Sequence, residues 1–311
     1  MPQLDEGQPH ATIRVMLRAV LITGISGSGK SVALRMLEDA GYTCVDNLPV
    51  RFLHEFVANA HTDGLSRVAV AVDARSPGAI ADIPRIVLAL KRLGVQLRVV
   101  FLDANTTTIV QRYSETRRRH PLTERLDTEG RPASLHDCIL AERQLLGPLR
   151  EQEHVIDTSG LTAGQLRQWV RDLVDAEPHP LVLTFESFAY KSGVPLGADL
   201  VFDARCLPNP FYDPVLRPLT GRDEAVANWL AKSPLVHEFL ADIEGFVARW
   251  LPRYAQDTRA YLTVAIGCTG GQHRSVYLVE RLAEAFGKHR GAVLIRHRAQ
   301  VGAAFLRAVE A

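Results

Sequence analysis

The sequence predicts an α/β protein of two domains, the first a parallel sheet with helices on both faces, the second a further α/β unit. Three observations predict it. Short apolar runs alternate with amphipathic stretches through the first half. A glycine-rich turn, Gly24-Ile25-Ser26-Gly27-Ser28-Gly29-Lys30-Ser31, lies between the first run and the first amphipathic stretch. A break at Asp175-Ala176-Glu177-Pro178-His179-Pro180 then separates this half from a second series of runs.

The β runs of the first half are residues 19–23, 42–45, 68–72, 97–102 and 154–156. Helical patterns cover residues 31–40, 50–60, 80–93, 107–119 and 134–150. Strands of this length separated by helices imply crossover connections and a sheet buried on both faces. The break follows one more amphipathic helix, and its two prolines and two acids suit a linker. Beyond it, strands are expected at 181–185, 200–202, 262–266 and 292–295, with helices near 224–230, 236–250 and 275–286. The expected division is a disordered extension at 1–16, a first domain at 17–177 and a second at 178–311. Met16, just before the first strand, is an alternative start of translation.

Composition narrows the class. Of 311 residues, 47% are hydrophobic, enough for sizeable cores, and the net charge of +1 leaves nucleic-acid binding to local patches. Cys44, Cys138, Cys206 and Cys268 form no C-x-x-C pair, which argues against a disulfide framework or a zinc site. No apolar run approaches the ~18 residues of a membrane span, and residues 1–15 lack the apolar core of a signal peptide. A cytoplasmic location is expected.

Gly24 to Ser31 fits G-x-x-x-x-G-K-[ST], with a β run before it and helix formers after it. That setting is what a P-loop requires. Glycines let successive backbone N–H groups converge on a phosphate, and the helix N-terminus adds its dipole. Lys30 is expected to reach the β and γ phosphates of ATP or GTP, and Ser31 to ligate Mg²⁺. A metal-side acid is sought at a strand end: Asp73 or Asp103, with Asp46 a third; each has a plain alternative as a helix cap. Arg112, Arg117, Arg118 and Arg119, followed by His120-Pro121, fit either a mobile lid that places arginines on the transferred phosphate or a solvated basic face.

In the second half, Cys268-Thr269-Gly270-Gly271-Gln272-His273-Arg274-Ser275 fits C-x₅-R-[ST] between a strand and a helix. Such a loop can wrap amides around a phosphate with the arginine forked onto two oxygens. A phosphorylated metabolite bound there, a Cys268 nucleophile, and a turn holding a buried cysteine all remain open. Glu186, Asp203 and Arg205 are candidates to line this second site. The loop carrying Pro208, Pro210, Pro214 and Pro218 is expected to be rigid and to make an oligomer contact; Trp229, Phe246 and Trp250 are expected in the core.

Several motifs in order carry a family resemblance: the P-loop, Gly41-Tyr42-Thr43-Cys44-Val45-Asp46-Asn47-Leu48-Pro49, Phe185-Glu186-Ser187-Phe188, Leu207-Pro208-Asn209-Pro210, and the stretch Gly267 to Ser275. Together they resemble the RapZ/YvcJ family over nearly the whole chain. The resemblance implies an ATP- and GTP-binding regulatory protein with weak ATPase and GTPase activity, on a kinase-like P-loop sheet. A second nucleotide motif, D-x-R-[NS], falls on Asp73-Ala74-Arg75-Ser76 and carries the guanine-nucleotide assignment. It also implies, from some enterobacterial members, an RNase adapter that binds small RNA and responds to an amino-sugar phosphate. That branch is associated with a lysine-rich tail, whereas this chain ends in a lysine-free segment after Arg296-His297-Arg298. A small-metabolite kinase is the alternative reading.

Overall fold

The computed structural model describes residues 16–73, 82–117, 119–123, 133–176, 181–256, 261–287 and 292–299. Its first half contains β1 (Arg18–Gly24), α1 (Lys30–Asp39), β2 (Thr43–Val45), α2 (Leu53–Thr62), β3 (Arg67–Ala71), α3 (Ile83–Arg92), β4 (Gln96–Asp103), α4 (Thr106–Thr116), α5 (Leu135–Gln152), β5 (His154–Asp157) and α6 (Ala163–Asp175). The strands form one parallel sheet in the order β2-β3-β1-β4-β5. This is the expected covered sheet, with the glycine-rich turn leaving its central strand.

Alternate residues of β1 explain why that strand is apolar throughout. Ala19 and Leu21 join one core with Val57, Val87 and Ile139. Val20 and Ile22 join the opposite core with Leu37, Trp169 and Leu173. Local signals close the helices. Asn105 caps α4 by accepting the Thr108 N–H, and Ser134/Asp137 and Thr162/Gln165 form capping boxes on α5 and α6.

The second half contains β6 (Val182–Ala189), β7 (Leu200–Asp203), α7 (Glu224–Ala231), α8 (Pro234–Gln256), β8 (Tyr261–Cys268), α9 (Arg274–Gly287) and β9 (Val293–His297). Its parallel sheet runs β7-β8-β6-β9. Ranked by chain position, that order repeats the first four strands of the N-terminal sheet. Phe185, Val264, Ile266 and Leu278 lie in its core. Phe246 and Trp250 do not: both are exposed. They flank the α8 positions that face inward, Ile243, Val247 and Leu251, and Phe246 lies beside Phe202 of the edge strand β7. Trp229 is partly buried against the core.

The two sheets are joined closely. The Leu196 N–H donates to Asp157 Oδ2 (3.0 Å), and Arg150 donates to the Leu196 carbonyl (2.7 Å). A Cβ at Gly197 would stand 2.6 Å from the Val155 carbonyl oxygen, so only glycine permits this approach. No helix among the described residues is long and apolar enough to cross a membrane.

Candidate functional site

The turn after β1 is built by backbone shape. Gly24, Gly27 and Gly29 have φ of 128°, 87° and 105°, values costly for any other residue. A Cβ at Gly24 would lie 2.0 Å from the Leu102 carbonyl oxygen on the adjacent strand. Gly24→Ala therefore should lower the chemical-denaturation midpoint by an amount equivalent to ~2 kcal/mol or more; an unchanged midpoint would show that the loop tolerates a different path. α1 then starts at Lys30 with no side-chain cap and no acid in its first turn, leaving its amides and dipole directed at the loop. The Ser28 hydroxyl is buried without a hydrogen-bond partner.

A cleft of about 410 Å³ opens over this turn. Ser26, Gly27, Gly29, Lys30 and Ser31 line it, with Asp46, Asn47 and Asp73 on one wall and Arg112, Tyr113 and Arg119 on the other. The Lys30 ammonium donates to the Gly24 carbonyl (2.7 Å), so it lies folded across the mouth of the loop. Asn47 adopts a left-handed φ of 54°. Its carboxamide nitrogen, in the orientation that satisfies its neighbours, lies 3.1 Å from both Asp73 oxygens.

Burial and pairing sort the candidate acids. β3 and β4 flank β1 on opposite sides, and Asp73, just past β3, reaches the cleft. Asp103 does not. It is fully buried, accepting from Arg143 (2.8 and 3.0 Å) and Arg150 (3.0 Å) of α5 and from the Ala104 N–H. Its place in an ion-pair hub removes it as a metal-side acid. Ala74, Arg75 and Ser76 lie outside the described residues.

The arginines separate by role. Arg112 is a brace: it donates to the Gly27 carbonyl (3.1 Å) and to the hydroxyl and carbonyl of Thr158 (3.0 and 2.8 Å). Arg119 stands exposed in the cleft wall. Arg117 ends α4 with φ 51° and is exposed, outside the lining of the cleft, and Arg118 lies outside the described residues. Nothing local in the sequence marked Glu142. Its buried carboxylate accepts from the Ser26 N–H (2.9 Å) and hydroxyl (2.7 Å) and lies 3.1 Å from His120 Nε2. Burial pushes this carboxyl up, but the hydrogen bonds from His120 and Ser26 and the Lys30 charge outweigh it and hold the pKa below the usual range.

The C-x₅-R loop sits between β8 and α9 as expected. Its Arg274 is buried; one terminal nitrogen donates to the Arg205 and Leu207 carbonyls (3.0 and 3.1 Å) and the other to the Thr269 hydroxyl at 3.4 Å. Nε has no partner. Gln272 donates to the Arg217 and Leu219 carbonyls, and His273 Nε2 to the Leu216 carbonyl, clamping the proline-rich segment. Burial lowers the His273 pKa, so the ring is neutral near pH 7. Cys268 is buried with its sulfur 3.2 Å from the Ser275 hydroxyl. Thr269 and Gly270 are the open part of the loop, and Gly271 is buried at φ 69°.

The remaining candidates fall elsewhere. Glu186 pairs with Arg298 (2.9 Å) at the domain junction. Asp203 and Arg205 form an exposed pair, with Arg205 over the Tyr190 ring. The basic cluster is no surface patch: Arg296 is buried against His154 (3.1 Å) and the Trp169 ring, His297 is bonded to Ser187 and Glu280, and Arg298 spans the two halves.

Two family models match this chain in sequence: the RapZ-like N-terminal domain over residues 17–177 and the RapZ C-terminal domain over residues 181–301. The chain belongs to the RapZ family. Among RapZ relatives, a protein of Bordetella petrii described as a nucleotide-binding protein is 69% identical over 286 residues, covering 92% of this chain and 98% of its own. One from Chromobacterium violaceum, described likewise, is 51% identical over 282 residues, covering 91% and 98%. Of solved structures, the shikimate kinase of Acinetobacter baumannii in complex with shikimate is 21% identical, with a TM-score of 0.36 over 51% of this chain and 94% of its own.

Proposed function

We propose that this RapZ-family chain is a cytoplasmic regulatory protein that binds ATP or GTP with Mg²⁺ and hydrolyses it slowly, and whose second domain senses a phosphorylated amino sugar. One observation carries the first part: three left-handed glycines shape a turn whose amides, Lys30 and Ser31 share a single cleft with Asp73. The residues fit a magnesium–triphosphate group. Loop amides and Lys30 supply charge to the phosphates, while Ser31 and Asp73 supply oxygen to the metal. The relatives' descriptions as nucleotide-binding proteins agree with this. Magnesium held there would neutralise phosphate charge. Asn47 orients Asp73, Arg112 braces Gly27, and Arg119 adds a cation from the lid side. The motif Asp73-Ala74-Arg75-Ser76 is assigned to guanine nucleotide through family resemblance.

For the second domain, the free Nε and the weakly engaged terminal nitrogen of Arg274 form the edge that fits two phosphate oxygens side by side. Thr269, Gly270, Gly271, His273, Ser275 and Cys268 surround it; the loop binds, and Cys268 is not assigned a nucleophilic role. The domains divide at 177/178, and Phe211, Tyr212 and Val215, exposed on the proline-rich loop, form a homo-oligomer contact. RNA binding is the less favoured partner reading, since Arg296 and His297 are buried and Arg298 is engaged by Asp157 and Glu186. A salt titration of RNA affinity with no slope would remove it.

Ligand-dependent thermal unfolding tests both sites. Ligand at 100 times its Kd adds about 2.7 kcal/mol of apparent stability, so a clear rise in midpoint is expected with magnesium–ATP or magnesium–GTP, and a separate rise with glucosamine 6-phosphate. Arg274→Ala should remove the sugar-phosphate rise and keep the nucleotide rise; loss of both would contradict separate sites. A small-metabolite kinase is the second reading, because Asp46 faces the same cleft as the loop and a carboxylate there suits an acceptor hydroxyl. Transfer of labelled phosphate from ATP to a sugar would decide for it.

A further inference from the structure

We propose that Glu142 is a positioning residue that holds the phosphate turn and the arginine-bearing segment before residue 124 in one register. This rests on the nucleotide reading above. Glu142 lies on α5, 116 positions from Ser26, and is fully buried. Both its oxygens are engaged by the turn: Oε2 accepts the Ser26 N–H and Oε1 the Ser26 hydroxyl. Oε2 also meets His120.

The tautomer of His120 follows from its other contact. The Leu122 N–H donates to His120 Nδ1 (3.1 Å), so Nδ1 is an acceptor and the ring proton sits on Nε2, where it donates to Glu142. The Thr123 hydroxyl donates to the His120 carbonyl (2.7 Å), and the Tyr113 ring packs against the imidazole. Residues 119–123 are thereby strapped to Glu142, and Arg119, in the cleft wall, is the residue next to His120. A buried carboxylate beneath a polyphosphate site is electrostatically adverse, and an apolar side chain of similar size would fill the space without desolvating a charge. What the carboxylate supplies is a shared acceptor for two chain segments that line the same cleft. Amides of the turn and Lys30 then meet the phosphate chain, Lys30 at its β and γ groups, while Arg119 is held in the cleft wall beside the terminal phosphate.

The test measures affinity of the full chain for magnesium with a non-hydrolysable ATP analogue and with ADP. Arg119→Ala should weaken the triphosphate about tenfold and ADP less than about threefold, the effect of one charge-assisted contact. Glu142→Met, which removes the acceptor from both segments, should weaken both nucleotides, with a further loss for the triphosphate about the size of that in Arg119→Ala, and Glu142→Gln, which keeps an acceptor for Ser26 and His120, should restore the preference. Should Glu142→Met fail to fold, His120→Phe cuts only the lid side of the strap. It is expected to match Arg119→Ala, with no further loss in the double variant. If His120→Phe keeps the triphosphate preference while Arg119→Ala loses it, or if the two losses add, the positioning role is overturned. If Glu142→Met or His120→Phe weakens both nucleotides equally, Glu142 merely supports the turn. If Arg119→Ala itself leaves the preference intact, the lid reading falls, and this proposal with it.

Discussion

Lys30→Ala is expected to weaken binding of a magnesium–nucleoside triphosphate by ten- to a hundredfold, with the affinity for the bare nucleoside little changed. The ammonium is the only side-chain cation contributed by the turn itself. A hydrogen bond to a charged group contributes about 1.5–3 kcal/mol, which converts to that range of affinity. In the structure the ammonium rests on the Gly24 carbonyl at 2.7 Å, so binding needs a local swing of one flexible side chain rather than a rebuilt loop. Lys30→Arg should not restore affinity, because a planar fork does not replace a compact point charge. Calorimetric titration of the three proteins decides the matter; equal affinities in all of them would place the phosphates elsewhere.

Arg298→Ala should produce the largest loss of stability, about 3–5 kcal/mol in urea unfolding. Arg298 donates to Asp157 Oδ2 (3.1 Å), to the Asp157 and Ser159 carbonyls (3.2 and 2.8 Å) and to Glu186 (2.9 Å). The side chains of Asp157 and Glu186 are each only 4% exposed, so removing the guanidinium takes from two buried carboxylates the cation bonded to both. Arg298→Lys keeps the charge but not the geometry, and should fall between. Trp169, with Arg296 and Arg298 both near its ring, reports the change directly: its fluorescence should shift to the red as water enters the junction. A loss below about 1 kcal/mol would mean that apolar packing alone secures the two halves.

The elements were legible where the signal is local. The run at residues 19–23 announced a strand because both its faces are buried, and the P-loop announced itself because strand, glycines, lysine and helix are contiguous. Choosing between Asp73 and Asp103 is not possible from strand ends that look alike; they differ in that Asp73 lines the cleft while Asp103 is buried among Arg143 and Arg150, and a sequence displays neither burial nor pairing. Glu142 was invisible for a related reason. It is one of several charged positions on an amphipathic helix, and its partner Ser26 is 116 residues away. Charge in a sequence carries no sign of burial, so nothing in Arg296 and Arg298 foretells that both lie near the Trp169 ring. Phe246 and Trp250 lie about one position's rotation around α8 from its inward face, enough to move a ring from the expected core to the surface.

Asp157 and Thr158 are neighbours at the end of β5, and they look in different directions. The Thr158 hydroxyl donates to the Ser28 carbonyl of the phosphate turn (2.9 Å), and the Asp157 carboxylate accepts from Arg298. Only one peptide link therefore stands between a contact with the turn and a contact with the second sheet. A tilt of that peptide unit would displace both contacts together, so the β5 terminus has an arm in each half of the molecule.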